Sequence, residues 1–436
     1  MANISIGPLR WQAEPSRVEI RQSGESVRSY YQVTAPRDVS SMCKGRPVEE
    51  LPRILSILSA SHHLASAVTL DNLFGVTPPP TAKNIRDALV QSLTFIHHAR
   101  KLLFLLSSSQ NPFGLRAELA VRAGTSPVAH HVLDEIGHAM ALAQEAASIL
   151  GGRHPHPLTA VAGGVSRPVK EIHYRRLAEI AESSLPYALR LRDIFREKII
   201  GSGNGLYELM DLTVSPIASI TFSGVEDAIV LTGADGSGST TFTANKTTDT
   251  LEALREPWTH LPFVHVKGKT WQGPISDQSE GLFFVGPLAR LNRCKPARTP
   301  QAEEERLHLV NSLGPAPHFS AIAAYWSLVV EIIQASEIMK DLCTEEKLTG
   351  LEVRTIASNP GGQHAHGALE APEGFIYHHY QVDERGIVDD VTVLDAASEN
   401  NALRCLLTQK MVEDAFEHGK PWDRAKKTIE LSLLPF

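Results

Sequence analysis

The sequence predicts a mainly α protein with small β pieces, of the α+β class. Apolar residues recur at helical spacing over residues 84–107, 127–150 and 318–343, which predicts long helices with wide buried faces. Residues 17–35 and 374–393 alternate polar and apolar side chains around glycine-containing turns, which predicts two β-hairpins. We therefore expect a bundle of long helices with one hairpin near each end of the chain.

The remaining stretches supply shorter elements between these landmarks. Prolines precede a predicted helix at 53–74, and a Gly/Pro-rich loop at 151–165 precedes another predicted helix at 169–199. Short β-like runs between turns rich in Gly and Asp indicate a small insert, and 398–417 predicts a last helix. The predicted regions are an N-terminal hairpin region (1–46), a first helical part (47–210), a β-containing insert (211–270) and a second helical part with the C-terminal hairpin (271–436).

Composition excludes several classes of protein. The 436 residues carry a formal net charge of −7, with 42% hydrophobic and 21% charged residues. This balance is typical of a globular protein and does not indicate nucleic-acid binding. No run of apolar residues approaches the roughly 20 needed to span a bilayer, and the first ten residues lack the pattern of a signal peptide. We therefore expect a cytoplasmic protein without a membrane span.

The four cysteines, Cys43, Cys294, Cys343 and Cys405, are widely spaced. No pair has the Cys-x-x-Cys spacing, which favours separate thiols in a reducing compartment over a disulfide framework. An iron–sulfur cluster usually takes four thiolates, some of them closely spaced. The sequence therefore predicts no such cluster in this chain.

Four short segments, in order along the chain, resemble nickel–iron hydrogenase large subunits. The opening segment has Gly-Arg-Pro at 45–47, and the second has Gly-Gly-Arg at 151–153 with His-Pro at 156–157. Gly-Pro-Leu-Ala-Arg at 286–290 is similar to the cytosolic, cofactor-linked members of that family. The last segment reads Glu-Ala-Pro-Glu-Gly at 370–374, followed by His-His-Tyr at 378–380. The resemblance implies a hydrogenase-large-subunit-like fold.

The first segment departs from the family where the metal ligands would lie. Arg53 and His62 stand in register with the family's arginine and histidine. Leu55 and Leu58 occupy the positions of two cysteines, and Ser56 occupies that of the glycine between them. A nickel–iron centre requires thiolates, and leucine cannot ligate a metal. The resemblance therefore implies a degenerate member with no metal ligand and no catalytic residue at this site.

Two further departures accompany this one. The family's pocket arginine is replaced by Glu373, and the carboxylate of an N-terminal proton-relay segment falls at Ala13 or, one residue later, at Glu14. The family's other two cysteines lie in a tail that follows a segment resembling 431–436. We expect Leu55, Leu58 and their neighbours to fill the space left by the metal, since an unfilled cavity is costly.

Two residues of the predicted vestigial pocket have alternative interpretations. For each pair of adjacent histidines (62/63, 97/98, 130/131 and 378/379) we expect one inward member and one solvated member, except that His62 is expected to line the pocket. Glu373 is expected either to pair with Arg53 or to act as an acid in a new substrate pocket.

Three functions are consistent with these patterns. The first is a non-catalytic large subunit that holds no cofactor itself and docks a small-subunit-like iron–sulfur protein, with flavin or further iron–sulfur clusters in other partner subunits. The second is a repurposed pocket that binds a quinone or another organic electron acceptor, as in the 49-kDa-type subunit of complex I. The third is a free-standing scaffold or assembly factor.

Overall fold

The computed structural model describes residues 2–10, 12, 14–107, 127–201, 213–214, 217–223, 228–293, 295–356 and 363–436, without the side chains of 2, 107 and 127–133. Within these ranges the chain forms a helical body with small, mostly antiparallel sheets. The predicted α+β class, with long helices and small β pieces, is confirmed.

Long helices form the body. The N-terminal half contains α1 (Val39–Cys43), α2 (Leu51–Leu55), α3 (Ala60–Phe74), α4 (Pro80–Ser107), α5 (Pro127–Gly151) and α6 (Glu171–Phe195). The C-terminal half contains α7 (Thr247–Thr250), α8 (Pro287–Asn292), α9 (Pro300–Leu313), α10 (Ala321–Thr344), α11 (Ala396–Glu399), α12 (Asn401–Glu417) and α13 (Trp422–Leu433).

Small sheets flank this body. The strands are β1 (Ala2–Ile6), β2 (Ser16–Ser23), β3 (Ser26–Val33), β4 (Ala160–Val161), β5 (Gly164–Val165), β6 (Ala218–Phe222), β7 (Ile229–Thr232), β8 (Ser239–Phe242), β9 (Leu251–Leu254), β10 (Phe263–Val266), β11 (Phe283–Phe284), β12 (His364–Glu370), β13 (Phe375–Val382) and β14 (Val388–Leu394). Each predicted hairpin gains a third strand, which gives the orders β1-β2-β3 and β12-β13-β14. Strand β11 pairs in parallel with β6, so the sheet of the predicted insert extends beyond residue 270.

Helix α10 is the centre of the body and packs against α4, α6 and α9. Trp326, Tyr325 and Ile333 on this helix are fully buried. The helix has an 18-residue window with a mean hydropathy of 1.3, long and apolar enough to cross a membrane, and 83% of that window is buried inside the protein. The sequence-based statement that no apolar run approaches this length is therefore wrong, because the run is the core helix.

The predicted helix at 53–74 is interrupted. Helix α2 ends at Leu55, Ser59 is extended (φ −162°, ψ 165°), and α3 begins at Ala60. The interruption turns residues 56–59 towards the C-terminal sheet, because α3 packs against β12 and β13. This geometry positions the site.

Candidate functional site

Leu55 and Leu58 lie on either side of the turn between α2 and α3, in different surroundings. Leu55 is fully buried in an apolar cluster that includes Val48, Leu51 and Tyr380. Leu58 is half-buried and borders a cavity of about 460 Å³. Leu58 also packs against this cluster, so the two leucines fill part of the space and leave the cavity open on one side of Leu58.

Ser56 fixes the turn rather than facing a ligand. It is buried, and its hydroxyl donates to the carbonyl of Arg53 (2.7 Å). Its own carbonyl accepts a hydrogen bond from His156 Nδ1 (3.0 Å), which ties the turn to the loop after α5. Because hydroxyl and carbonyl are both engaged locally, Ser56 serves as a structural residue of the turn.

The residues at the family's metal position do not fit a nickel–iron centre. Soft thiolates hold nickel and bridge it to iron, whereas Leu55 and Leu58 offer only hydrocarbon. Cys43, Cys343 and Cys405 are buried in the apolar interior, where burial raises the pKa of the Cys43 and Cys343 thiols to about 11, and Cys294 lies outside the described residues. Within the described ranges no group of three or more His, Cys, Asp or Glu side chains is arranged to hold a metal ion.

The cavity beside Leu58, which we call the charged cavity, has a polar wall. It lies between α4, the α2–α3 turn and the C-terminal region. Charged or ionisable groups surround it, and several of them were not singled out from the sequence. The lining side chains with such groups are Glu14, Arg37, His62, His97, Arg100, Lys101, Glu373, Asp395 and Arg404.

Glu373 faces this cavity without the expected arginine partner. Its carboxylate accepts hydrogen bonds from Ser59 Oγ (2.7 Å) and Ser61 Oγ (3.1 Å). Arg53 is exposed, so the predicted ion pair between Arg53 and Glu373 is wrong. Lys101 borders the same cavity, and burial, with a contribution from Arg404, lowers the pKa of its amine to about 7 while Glu373 opposes that shift. The cavity therefore contains a lysine able to exchange a proton near neutral pH.

His62 connects the cavity to a buried polar network. Its Nε2 lies 3.4 Å from the Asp395 carboxylate, and Arg37 Nη2 donates to the same carboxylate (2.5 Å). His62 Nδ1 is hydrogen-bonded to His378 Nε2 (2.9 Å), and His378 Nδ1 to the Tyr380 hydroxyl (2.8 Å). Burial raises the pKa of the Asp395 carboxyl, but Arg37 and His62 outweigh it and hold that pKa well below its usual range. Asp395 is thus a fixed negative charge at the edge of the cavity.

The N-terminal carboxylate also reaches the cavity. Of the two candidate positions, Glu14 lines the cavity and contacts Arg37 Nη1 (3.4 Å), while Ala13 lies outside the described residues. A row of alternating charges therefore runs from Glu14 through Arg37 to Asp395.

A second cavity, of about 780 Å³, lies further towards the N-terminus of α4, where residues 83–94 contribute to its lining. Arg290 lies in its wall and joins two carboxylates, donating to Glu331 (2.5 and 2.8 Å) and to Glu370 (2.5 Å). Burial opposes the ionisation of Glu331, but Arg290 outweighs it and lowers the pKa of the carboxyl to about 2. Arg290 and Glu370 belong to two of the segments that carry the family resemblance.

The histidine pairs follow the expected pattern only in part. His98 is fully buried while His97 lines the charged cavity, and His378 is fully buried while His379 lies on the opposite face of its strand. The 130/131 pair lies outside the described side chains.

In the 62/63 pair both rings are buried, and His62 lines the charged cavity as expected of this exception. His63 Nδ1 donates to the carbonyl of Pro52 (2.9 Å), and His63 Nε2 accepts from the backbone N–H of Ala160 (3.0 Å). These two backbone groups satisfy the ring without water. The bond to Ala160 joins residues 97 positions apart, so helical periodicity in the sequence could not predict it.

Residues missed from the sequence include Arg37, Lys101, Asp395 and Arg404. Asp395 carries a local signal, since its side chain caps α11 together with Ser398 in a capping box. Arg37 and Lys101 have no comparable signal, because their partners lie hundreds of residues away.

No family model matches the chain. Among curated relatives, it is 26% identical to the F420-non-reducing hydrogenase iron-sulfur subunit of Archaeoglobus profundus, over 100% of this chain and 93% of the relative. It is 25% identical to NAD-reducing hydrogenase HoxS subunit beta of Cupriavidus necator, over 95% of this chain and 88% of the relative.

Solved structures give the same result for the fold. A chain of an NAD⁺-reducing [NiFe]-hydrogenase in the H₂-reduced state superposes with a TM-score of 0.85 at 20% identity, covering 100% of this chain and 97% of that chain. A chain of the Ni-Fe-Se hydrogenase from D. vulgaris Hildenborough gives 0.72 at 15% identity, covering 100% and 99%. The similarity therefore extends over essentially the whole chain.

Proposed function

Because this chain is a homologue of nickel–iron hydrogenase large subunits, we propose that it serves as a large subunit without its own metal centre in a cytoplasmic oxidoreductase complex. The observation that carries the proposal is the position of Leu55. Its side chain is fully buried among apolar residues where the resemblance places a metal-binding thiolate. Loss of the ligand together with retention of the whole fold favours a role in assembly and electron transfer over hydrogen chemistry.

The proposed partner is a small-subunit-like iron–sulfur protein, with further flavin or iron–sulfur subunits beyond it. Ile57 is 63% exposed and Leu158 is 40% exposed. Their two loops are joined by the hydrogen bond from His156 to Ser56, so the two apolar side chains lie on adjoining segments of one surface. Exposed apolar side chains beside the site support a protein contact there.

Native purification of the full chain from its source, followed by identification of bound chains and metal analysis, tests this proposal. We expect iron–sulfur partner chains, iron in proportion to them, and no stoichiometric nickel. The matched control is the same chain expressed alone, which we expect to contain neither metal. Stoichiometric nickel bound to this chain would overturn the proposal.

A second candidate function is favoured by the charged cavity. A space of about 460 Å³ lined by several ionisable side chains is of the size and chemistry that bind a small polar molecule. We propose that it takes a quinone headgroup or another organic electron acceptor, with Glu373 and His62 as proton-exchanging groups. Lys101, whose amine pKa is lowered to about 7, supplies a further proton donor in the same wall.

Calorimetric titration of the full chain with a short-chain benzoquinone tests this second function. We expect saturable binding that weakens by about tenfold in Glu373→Gln, a change equivalent to about 1.4 kcal/mol. The control is Glu345→Gln, whose carboxylate pairs with Lys347 at the surface, and which we expect to bind like the wild type. If the benzoquinone does not bind to the wild type, the charged cavity is not a quinone site.

A further inference from the structure

One face of helix α4 lines both cavities, with residues 83–94 at the second cavity and residues 97–104 at the charged cavity. His97 and His98 are consecutive residues of this helix, so their side chains project about 100° apart. His97 lines the charged cavity, whereas His98 is fully buried and faces α10. On α10, Glu331 lies in the wall of the second cavity. Three side chains therefore connect the wall of the charged cavity with the wall of the second cavity.

Hydrogen bonds join these side chains without a gap. His97 Nδ1 and His98 Nδ1 are 3.1 Å apart, and His98 Nε2 is 2.8 Å from Glu331 Oε2. Arg290 fixes the Glu331 carboxylate from the other side through two hydrogen bonds. The distances are those of ordinary hydrogen bonds between imidazole and carboxylate groups.

The partners determine which ring nitrogens carry hydrogen. An ionised Glu331 only accepts, so His98 Nε2 carries the hydrogen and donates it. Burial lowers the pKa of both His97 and His98, so both rings are neutral at pH 7. His98 Nδ1 therefore accepts, His97 Nδ1 donates, and His97 Nε2 is left as the acceptor on the ring that borders the charged cavity.

We propose that His97 and His98 form a proton relay that connects the charged cavity to the second cavity through Glu331. This proposal rests on the second proposed function, because the reduction or oxidation of an organic acceptor in the charged cavity requires protons to enter or leave. The relay gives them a route through the core that does not pass through the mouth of the cavity.

Each transfer conserves protons. A proton binds His97 Nε2 from the charged cavity as the hydrogen on His97 Nδ1 moves to His98 Nδ1. The hydrogen on His98 Nε2 then moves to Glu331 Oε2, which releases it to water in the second cavity. One proton crosses, and both rings are left in the opposite tautomer. A transfer in the reverse direction restores them, whereas a second proton in the same direction requires both rings to be reset by rotation before it can pass.

The charges around the relay keep its rings uncharged. Lys101 and Arg100 lie near His97, and Arg290 lies near His98, and each lowers the pKa of the ring beside it. Among the described residues, Glu331 raises the pKa of His98, whereas burial, Arg290 and Lys101 lower it further. A proton is thus passed along rather than retained on an imidazole.

Proton exchange of histidine rings in the full-length chain, labelled with ¹⁵N-histidine, tests the relay. Long-range ¹H–¹⁵N correlations report the tautomers, and solvent exchange of the His98 Nε2–H reports transfer. His63 is the internal control, since its ring is equally buried but is hydrogen-bonded only to backbone groups. We expect the His98 proton to exchange at least about tenfold faster than the His63 Nδ1–H, because only His98 is connected to solvent by titratable partners.

The variant His97→Asn sharpens the test. The asparagine amide can replace Nδ1 as the donor to His98, but it cannot accept a proton and pass one on. We expect His98 exchange to slow by about tenfold in this variant while His63 exchange and backbone exchange of α4 are unchanged. Unchanged His98 exchange in His97→Asn, the opposite His98 tautomer, or equal exchange at His98 and His63 in the wild type would each overturn the relay. These outcomes are obtained without ligand or partner, so they are independent of the quinone titration and of the nickel analysis.

Discussion

Asp395 is the most strongly constrained charge at the site, since it is buried and held by Arg37 and His62. Its lowered pKa means that it stabilises the fold at pH values above the unfolded carboxyl pKa of about 3.9, and that this stabilisation is lost as the pH falls through the folded pKa. The guanidinium of Arg37 is therefore a structural partner of a buried anion.

We expect Arg37→Met to lower the free energy of unfolding by about 3–5 kcal/mol at pH 8, because it leaves a buried carboxylate without its partner. The loss should shrink at pH 5, where the freed Asp395 takes up a proton more readily. Urea denaturation at both pH values measures this. Arg175→Met, which removes an exposed ion pair with Glu171, is the control and should change little at either pH. A loss that does not depend on pH would contradict the account.

Leu55 and Leu58 differ in packing although both replace a cysteine in the resemblance. Leu55→Ala removes buried methyl groups from a closed cluster, so we expect a loss of about 2–5 kcal/mol in unfolding free energy. Leu58→Ala enlarges a cavity that is already open, so we expect less than about 1.5 kcal/mol. Equal losses in chemical denaturation would show that the two surroundings are not distinct.

Glu399 is a fully buried carboxyl whose two oxygens have no hydrogen-bond partner within the described residues. Burial first, and then the nearby Asp395 and Glu370, raise its pKa well above the usual value. A raised folded pKa gives stability that is present below the unfolded pKa, about 4.3, and is lost as the pH rises towards the folded pKa.

Glu399→Gln removes this dependence on pH. Relative to the wild type, we expect the variant to become more stable between pH 5 and pH 8, by at most about 1.4 kcal/mol per pH unit. Denaturant titrations across that range measure the difference, with the exposed Glu345→Gln as a control. A difference between variant and wild type that is constant with pH would refute the buried, protonated state of Glu399.

At the scale of elements, the contact between α3 and β12 determines where the site lies. Gly367 on β12 has no room for a side chain, since a Cβ there would lie 2.7 Å from the backbone nitrogen of Thr69 on α3. By contrast, a Cβ at Gly137 in α5 would meet no atom within 4 Å. Substitution of Gly367 therefore tests close packing, and substitution of Gly137 tests helix propensity alone.

We expect Gly367→Ala to destabilise the protein by more than about 1 kcal/mol, because strand and helix must move apart. Gly137→Ala should stabilise it by about 0.5–1 kcal/mol, because alanine favours a helix over glycine. Thermal unfolding of both variants checks the pair. A neutral Gly367→Ala would mean that α3 is not held directly against β12.

Elements with a regular apolar repeat could be predicted from the sequence. The repeats predicted α4, α5 and α10 to within a few residues, because one face of each helix is buried along its length. Strands β1 and β12 were missed, because a third strand is specified by its partner in the sheet rather than by a turn of its own. Helix α13 was missed as well, although its polar and apolar faces are distinct.

At the scale of the whole molecule, only some of the residues singled out by the resemblance line the charged cavity. Leu58, Ser59, His62 and Glu373 line one cavity, whereas Arg53 is exposed and Leu55 packs in the apolar cluster. The charges that complete the cavity come from distant parts of the chain: Arg37 and Asp395 are separated by 358 positions. Local patterns carry no information about such pairs, so the polar wall could not be predicted.

The proposed partner surface leads to a prediction for the assembled complex. Ile57→Asp introduces a charge into an exposed apolar contact, so we expect loss of the iron–sulfur partner on native purification. Leu307→Asp is the control, because Leu307 is an exposed apolar residue (47%) on α9. Helix α9 contacts the C-terminal end of the 25-residue α6 through the ion pair of Glu305 with Arg196, whereas Leu158 precedes the start of α6. Partner recovery that is equal for the two variants would place the interface elsewhere.

Helix α4 runs for 28 residues and contributes side chains to the lining of both chambers. A ligand that shifts or turns this shared helix in one chamber would also reshape the wall of the other. By thermodynamic reciprocity, the second guest must then act back on the first with equal strength. Ligand titrations of one chamber, repeated with a ligand in the other, would measure this coupling as a change in affinity.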